Sequence, residues 1–296
     1  MLRPASTRRG ARLLVLVLAC AFLVLPGAPA SAAPADLCAE PLAALLGVDA
    51  KIKAHNAKPH LFTLPRQQGA YAAYNAEAAK LNAELAKAKA RINACIEAMK
   101  TLEDTAAGSP ELTRPRPADL KAIGDATKQV PAGWQPPAPP APGKHWRVPP
   151  SSAVRPLYRV LRDLSPPDFR NVSLRGQPRP PIGARDPAYP ASSGHTIGGP
   201  NTNGLSAVSP DHIIPLAEII HMPGFLRLSP QNMYQVVNAR VNLQWLSYKS
   251  NLSKSSRSVA GMSGVDPQWQ ASQLQLESAV RKQLRDTIGQ LLRSQG

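Results

Sequence analysis

Asp211 and His212 stand side by side in a short run rich in β-branched residues, Ser209-Pro210-Asp211-His212-Ile213-Ile214-Pro215-Leu216. Thirty residues beyond His212 comes a second strand-like run, Asn242-Leu243-Gln244-Trp245-Leu246. Asn251 follows nine positions after Asn242, and Lys254 three after that, at the opening of a predicted helix. Imidazole is the side chain that exchanges protons near neutral pH. Aspartate and asparagine offer hard oxygen donors, which suit Mg²⁺ better than zinc. Lysine is a point charge for a phosphate. Together these residue types can exchange a proton, hold a hard cation and balance an anion.

The pattern resembles the HNH/endonuclease VII superfamily, whose ββα-metal fold is shared by colicin-type DNases and many polymorphic-toxin nucleases. Asp211, His212, Pro215, Asn242, Leu243, Gln244, Asn251 and Lys254 match its order and spacing over about fifty residues. The resemblance implies that His212 is the general base. It implies that Asp211 and Asn251 hold one divalent ion, Mg²⁺ or Mn²⁺, and that the Asn242 amide fixes the loop bearing His212 and orients the imidazole. Lys254 would hold a neighbouring phosphate. Ser247 and Ser250 stand where many relatives carry a CxxC pair, so no structural zinc is expected, and Ser255 replaces a further histidine of colicin-type sites. The segment between His212 and Asn242 is long, and His221, Arg227 and Asn232 within it have no assigned role. His221 and the loop residue His195 are read as ordinary loop histidines, with a place in the site as the alternative for each. His55 and His60 flank a turn, and Tyr71 and Tyr74 belong to a core seam.

The elements that must position these groups are α+β. Tyr71, Tyr74, Ala78, Leu81, Leu85, Ala88, Ile92, Cys95, Met99 and Leu102 recur in steps of three and four, the heptad seam of one long helix. An upstream segment, about Asp36 to Ala54, offers Leu42, Leu45, Leu46 and Ile52 as a partner face. Cys38 and Cys95 are an even pair in a chain read as exported, which favours one disulfide over two buried thiols. An antiparallel hairpin would bring them together. Residues 108–150 are rich in proline and alanine and read as an extended linker, with one or two helical turns at Leu120 to Thr127. A short helix is expected over Val154 to Leu164. A closing helix starts at Asp266-Pro267, with Trp269, Leu276, Val280, Leu284, Ile288 and Leu291 on one face. The predicted layout is a signal peptide (1–32), a helical hairpin or coiled-coil module (33–107), the linker (108–150) and a nuclease-like domain (151–296).

Arg3, Arg8, Arg9 and Arg12 precede an apolar run from Leu13 to Leu25 that is too short to span a bilayer comfortably. With Ala30 and Ala32 as a cleavage signal, this predicts secretion and a mature start near Ala33, with no transmembrane segment left. Removing those four arginines lowers the formal net charge from +16 to +12. From Ser151 onward 16 Lys and Arg face 8 Asp and Glu, so the positive field concentrates where a polyanion would bind. The expectation is a secreted, metal-dependent endonuclease acting on DNA in preference to RNA. Its layout is similar to that of bacterial polymorphic toxins, which an immunity protein would neutralise, and is equally open to a scavenging extracellular nuclease. The alternative is a non-enzymatic envelope protein whose helical module carries a basic, polyanion-binding tail.

Overall fold

A computed structural model describes residues 6–7, 37–103, 114–166, 169 and 172–295. The predicted leader lies outside these except for Ser6 and Thr7 (β1), which pair in parallel with Leu61 and Phe62 (β2). The chain is of mixed α+β class and divides into two compact units, Met1–Ile96 with Ser294–Gly296, and Glu97–Arg293. Among the described residues, no helix is long and apolar enough to cross a membrane.

The first unit is built from α1 (Ala39–Asn56) and the longer part of α2 (Gln68–Glu103). Lys51 pairs with Glu84, Glu40 with Arg91, and Cys38 with Cys95, so residue numbers fall along one helix as they rise along the other. The helices are therefore antiparallel. Val48 and Ile52 pack with Ala78, Leu81 and Ala88, while Leu45 and Leu85 close the edges. Ala78, Leu81, Leu85 and Ala88 are positions that the three-and-four spacing marks, because residues so spaced share one stripe of an α-helix. On α1 Leu45 and Ile52 pack as expected, while Leu46 is exposed and Val48 takes its place. The Cys38–Cys95 disulfide closes the hairpin.

The second unit carries the residues singled out above. β3 (Val208–His212) and β4 (Leu243–Ser247) form an antiparallel pair in which Asp211 lies opposite Gln244 and His212 opposite Leu243. Between them run a single helical turn, α5 (Leu216–Ile219), and α6 (Pro230–Val237), which Ser229 caps by accepting the Asn232 N–H. α7 (Tyr248–Lys254) follows β4 directly and is capped by the Ser247 hydroxyl. α8 (Pro267–Gln295) begins where Asp266 accepts the N–H groups of Gln268 and Trp269. Its Val280, Leu284, Ile288 and Leu291 are fully buried.

The proline-rich tract departs from its reading as an extended tether. Its described part, 114–150, belongs to the second unit and contains α3 (Pro117–Lys128), which packs on α4 (Arg155–Asp163) and α6. Ile123 and Ala126 are buried there. Farther on, Trp134 and Trp146 stack against His221, with ring centroids 5.8 and 5.6 Å away. Polyproline backbone has few hydrogen bonds of its own, but its intervening aromatics can anchor it to a folded surface. Composition registered the prolines and overlooked these anchors.

Candidate active site

β3 ends at His212, and the chain must then turn away under control. Asn242 provides that control. Its side-chain Oδ1 accepts the Ile214 N–H at 2.8 Å and its Nδ2 donates to the Ile214 carbonyl at 3.0 Å. Its backbone carbonyl accepts from Ile213 at 2.8 Å. Asn242 is fully buried, so this one residue satisfies backbone groups that would otherwise be stranded without water. It fixes the segment after His212 but does not orient the imidazole as expected.

That task falls to the end of α6 and the loop after α4. The last carbonyls of a helix have no partner within it, and Val237 presents such a carbonyl 2.8 Å from His212 Nε2. Ser165 donates its hydroxyl to the same carbonyl at 2.8 Å and lies 3.0 Å from Nε2. Nε2 must carry the proton to donate to a carbonyl, which leaves the lone pair on Nδ1. Burial pushes the His212 imidazole down to about 4, with the nearby Lys254 ammonium acting in the same direction and the Val237 bond opposing both. At neutral pH the ring is a neutral, oriented base.

Lys254 corrects a second expectation. It is fully buried, with its Nζ 3.4 Å from Asp211 Oδ1, 3.2 Å from Oδ2 and 2.6 Å from the His212 carbonyl. Three residues past Asn251, on the inner face of α7, it points beneath the strand pair and cannot meet an incoming phosphate from solvent. It neutralises Asp211 instead. Burial raises the Asp211 carboxyl above the usual carboxylate range, and Lys254 pulls it back.

Asp211, His212 and Asn251 line one open cleft of about 480 Å³, together with Tyr158, Arg162 and Ser165. Asn251 donates its Nδ2 to Ser209 Oγ at 2.7 Å, which turns the amide and leaves Oδ1 as the group for a ligand. Asp211 Oδ2 has its ion pair but no hydrogen bond. Among the described residues, no group of three His, Cys, Asp or Glu side chains converges on a metal position. The carboxylate and amide oxygens that could face an ion in the cleft are those of Asp211, which Lys254 pairs, and of Asn251, and a hard ion that keeps most of its water needs few protein ligands.

His195 and His221 lie outside this cleft. His195 is 2.7 Å from Lys249 Nζ and edge-on to Tyr189. His221 is buried between the two tryptophans, with Nδ1 2.6 Å from the Ala217 carbonyl. Ser247 and Ser250 both donate to Asp186, a buried carboxylate that ties the start of α7 to the 186–188 loop. Sequence reading missed Ser165, the Val237 carbonyl, Tyr158 and Arg162. Arg155, Tyr158, Arg159 and Arg162 share one short segment, a cationic and aromatic signal that was legible in the sequence. The carbonyl has no side-chain signature.

Comparison of the chain with models of protein families, with curated proteins and with solved structures finds no match in any of the three.

Proposed function

We propose that this protein is an exported, metal-assisted endonuclease that hydrolyses phosphodiester bonds at the cleft around His212. The observation that carries this reading is the His212 ring: Nε2 is anchored on the Val237 carbonyl, and Nδ1 is left as a neutral base in a cleft shared with Asp211 and Asn251. The sequence pattern of an HNH-type site supports it, as does the order of β3, β4 and α7, a strand pair followed by a helix across it.

His212 takes a proton from water as the oxygen attacks phosphorus, and the P–O bond to the leaving sugar oxygen breaks. A base with a pKa near 4 is weak for this purpose, but a phosphodiester anion in the cleft favours the imidazolium and raises it towards neutrality. Arg162, at the rim, faces the substrate's negative charge. Asp211 and Asn251 would hold a divalent ion, whose contribution is Lewis-acid stabilisation of the phosphate and the leaving oxygen. Asn242 keeps the loop in place, and Lys254 holds Asp211 where it is. DNA is the preferred substrate in this reading, and an acidic immunity protein covering the cleft is the partner that a toxin would require.

One observation favours the non-enzymatic alternative. The carboxylate assigned to the metal is already paired with a buried lysine, as a purely structural residue would be. Purified mature protein is expected to nick plasmid DNA with Mg²⁺ or Mn²⁺ and to stop in EDTA. His212→Ala should lose about 10²- to 10⁴-fold in rate, the usual span for a general base, with an unchanged circular dichroism spectrum. Equal behaviour of wild type and His212→Ala on DNA and RNA with every metal would leave the polyanion-binding reading standing.

A further inference from the structure

The cleft at His212 is the middle of a longer trench. A hollow of about 390 Å³ adjoins it and shares Tyr158, Arg162 and Ser256 with it as walls. A third, of about 400 Å³, adjoins the other side and shares Pro166, Pro210 and Asn251. Among the described residues, the lining of the three contains a single carboxylate, Asp211, whose charge Lys254 already balances.

The first flank is the cationic one. It is lined by Arg147, Arg155 and Arg162 and by Trp146 and Tyr158; the Trp146 ring stacks on His221, so it has at most one face for a base. Its walls are built rather than casual. Arg155 Nη1 donates to the Val148 carbonyl at 2.6 Å, clamping the 146–150 segment against α4, and its guanidinium lies 5.6 Å from the Tyr158 ring centre. The Trp146 backbone N–H donates to the Ser256 carbonyl at 2.9 Å, which pins the same segment to the loop after α7. Arg147 and Arg162 are exposed, and neither has a carboxylate partner among the described residues. The opposite flank offers Asn201, Asn203 and Tyr248, its Arg179 is engaged by the Phe169, Ser206 and Val208 carbonyls, and it holds no acid among the described residues.

Cations at intervals along a groove neutralise successive phosphates, while aromatic rings between them take the faces of unstacked bases. A duplex keeps its bases stacked on one another, so rings in such a groove would have nothing to receive. We infer that the trench from Trp146 and Arg147 through Tyr158 and Arg162 to His212 binds single-stranded polynucleotide and feeds it to the cleft. This rests on the nuclease reading for what happens at His212, but not for the binding itself.

The test measures fluorescence anisotropy of a labelled short DNA strand with the whole mature chain in EDTA, so that binding is read without cleavage. Wild type should prefer the single strand over the duplex of the same sequence and over inorganic polyphosphate of equal charge. Arg147→Ala/Arg162→Ala should bind about tenfold more weakly, with the slope of log K against log salt reduced by about 1.4, two phosphate contacts at about 0.7 each. Tyr158→Leu should lose about fivefold or more at every salt concentration with the slope unchanged, since stacking is not ionic. Tyr158→Phe keeps the ring and should bind as wild type does, which separates stacking from a folding defect. Equal or tighter binding of duplex, equal competition by polyphosphate, or unchanged affinity and slope in the arginine variant would each overturn the proposal. His212→Ala separates the two readings. If it binds normally without cutting, both stand. Trench variants that bind normally while wild type cuts end the trench alone, and wild type that binds as described without cutting ends the nuclease alone.

Discussion

The helical hairpin and the strand-and-helix unit are held together in opposite ways. In the hairpin, stability is spread over repeated apolar contacts, and no single residue decides the arrangement except through the disulfide. Around His212, single polar residues decide it: Asn242 for the loop, Val237 and Ser165 for the ring, and Lys254 for the acid. Distributed packing tolerates substitution, because a stripe still buries its area with one contact trimmed. A site built from single buried polar groups does not, because each one removed leaves its partner unsatisfied.

The sharpest test of that contrast is Lys254→Met. It removes the ammonium from a fully buried pair and strands the Asp211 carboxylate, and losing one partner of such a pair costs about 3–5 kcal/mol. The expected result is a large drop in urea midpoint, part of which millimolar Mg²⁺ restores if Asp211 then takes the ion. Asp211→Asn/Lys254→Met should be less destabilised than Lys254→Met alone. A double variant no better than the single would mean that the pair is not what holds this corner.

On the hairpin side, Cys38→Ser/Cys95→Ser opens a loop with a sequence separation of 57. The chain-entropy model assigns such a closure about 4 kcal/mol. Hydrogen exchange should accelerate in α1 and the first part of α2 while β3 and β4 keep their protection and plasmid cleavage is unchanged. Faster exchange at β3 in this variant would break the comparison, since the two units would then share one stability.

These contrasts also explain what the sequence revealed. The hairpin was readable because burial in a helix has a period, and Tyr74, Ala78, Leu81 and Ala88 carry it in their spacing. In the second unit the helices at 155–163 and from Pro267 are legible from spacing and caps, and the strand pair from the motif at Asp211, His212 and Asn242. Sequence predicts Lys254 at the opening of a helix, whereas it is the last residue of α7, and spacing alone does not tell that its side chain turns inward. The anchor of the imidazole is a main-chain carbonyl, which any residue at 237 would supply. In the tract before residue 150 the helical turns at Leu120 to Thr127 are legible and belong to α3, while Trp134 and Trp146, which fasten the rest down, stand among prolines that dominate its composition.

A milder perturbation, pH, separates the two regions without mutation. His212 is near 4 when folded, against an ordinary value of 6.5. Its depressed value means that the unfolded chain binds the proton more readily. Stability from this residue is therefore complete above about 6.5 and falls as pH drops towards 4, below which both states are protonated. At 1.36 kcal/mol per unit the loss is at most about 3 kcal/mol, and less in practice because the ring borders an open cleft where water screens it. Urea unfolding of wild type between pH 7 and pH 4 should show this decline, and His212→Ala should flatten it. A slope that survives the substitution would assign the acid sensitivity to other groups and leave His212 an ordinary imidazole. The acidic limb of kcat/KM, which reports the free enzyme, should then lie near 6.5 instead of well below it.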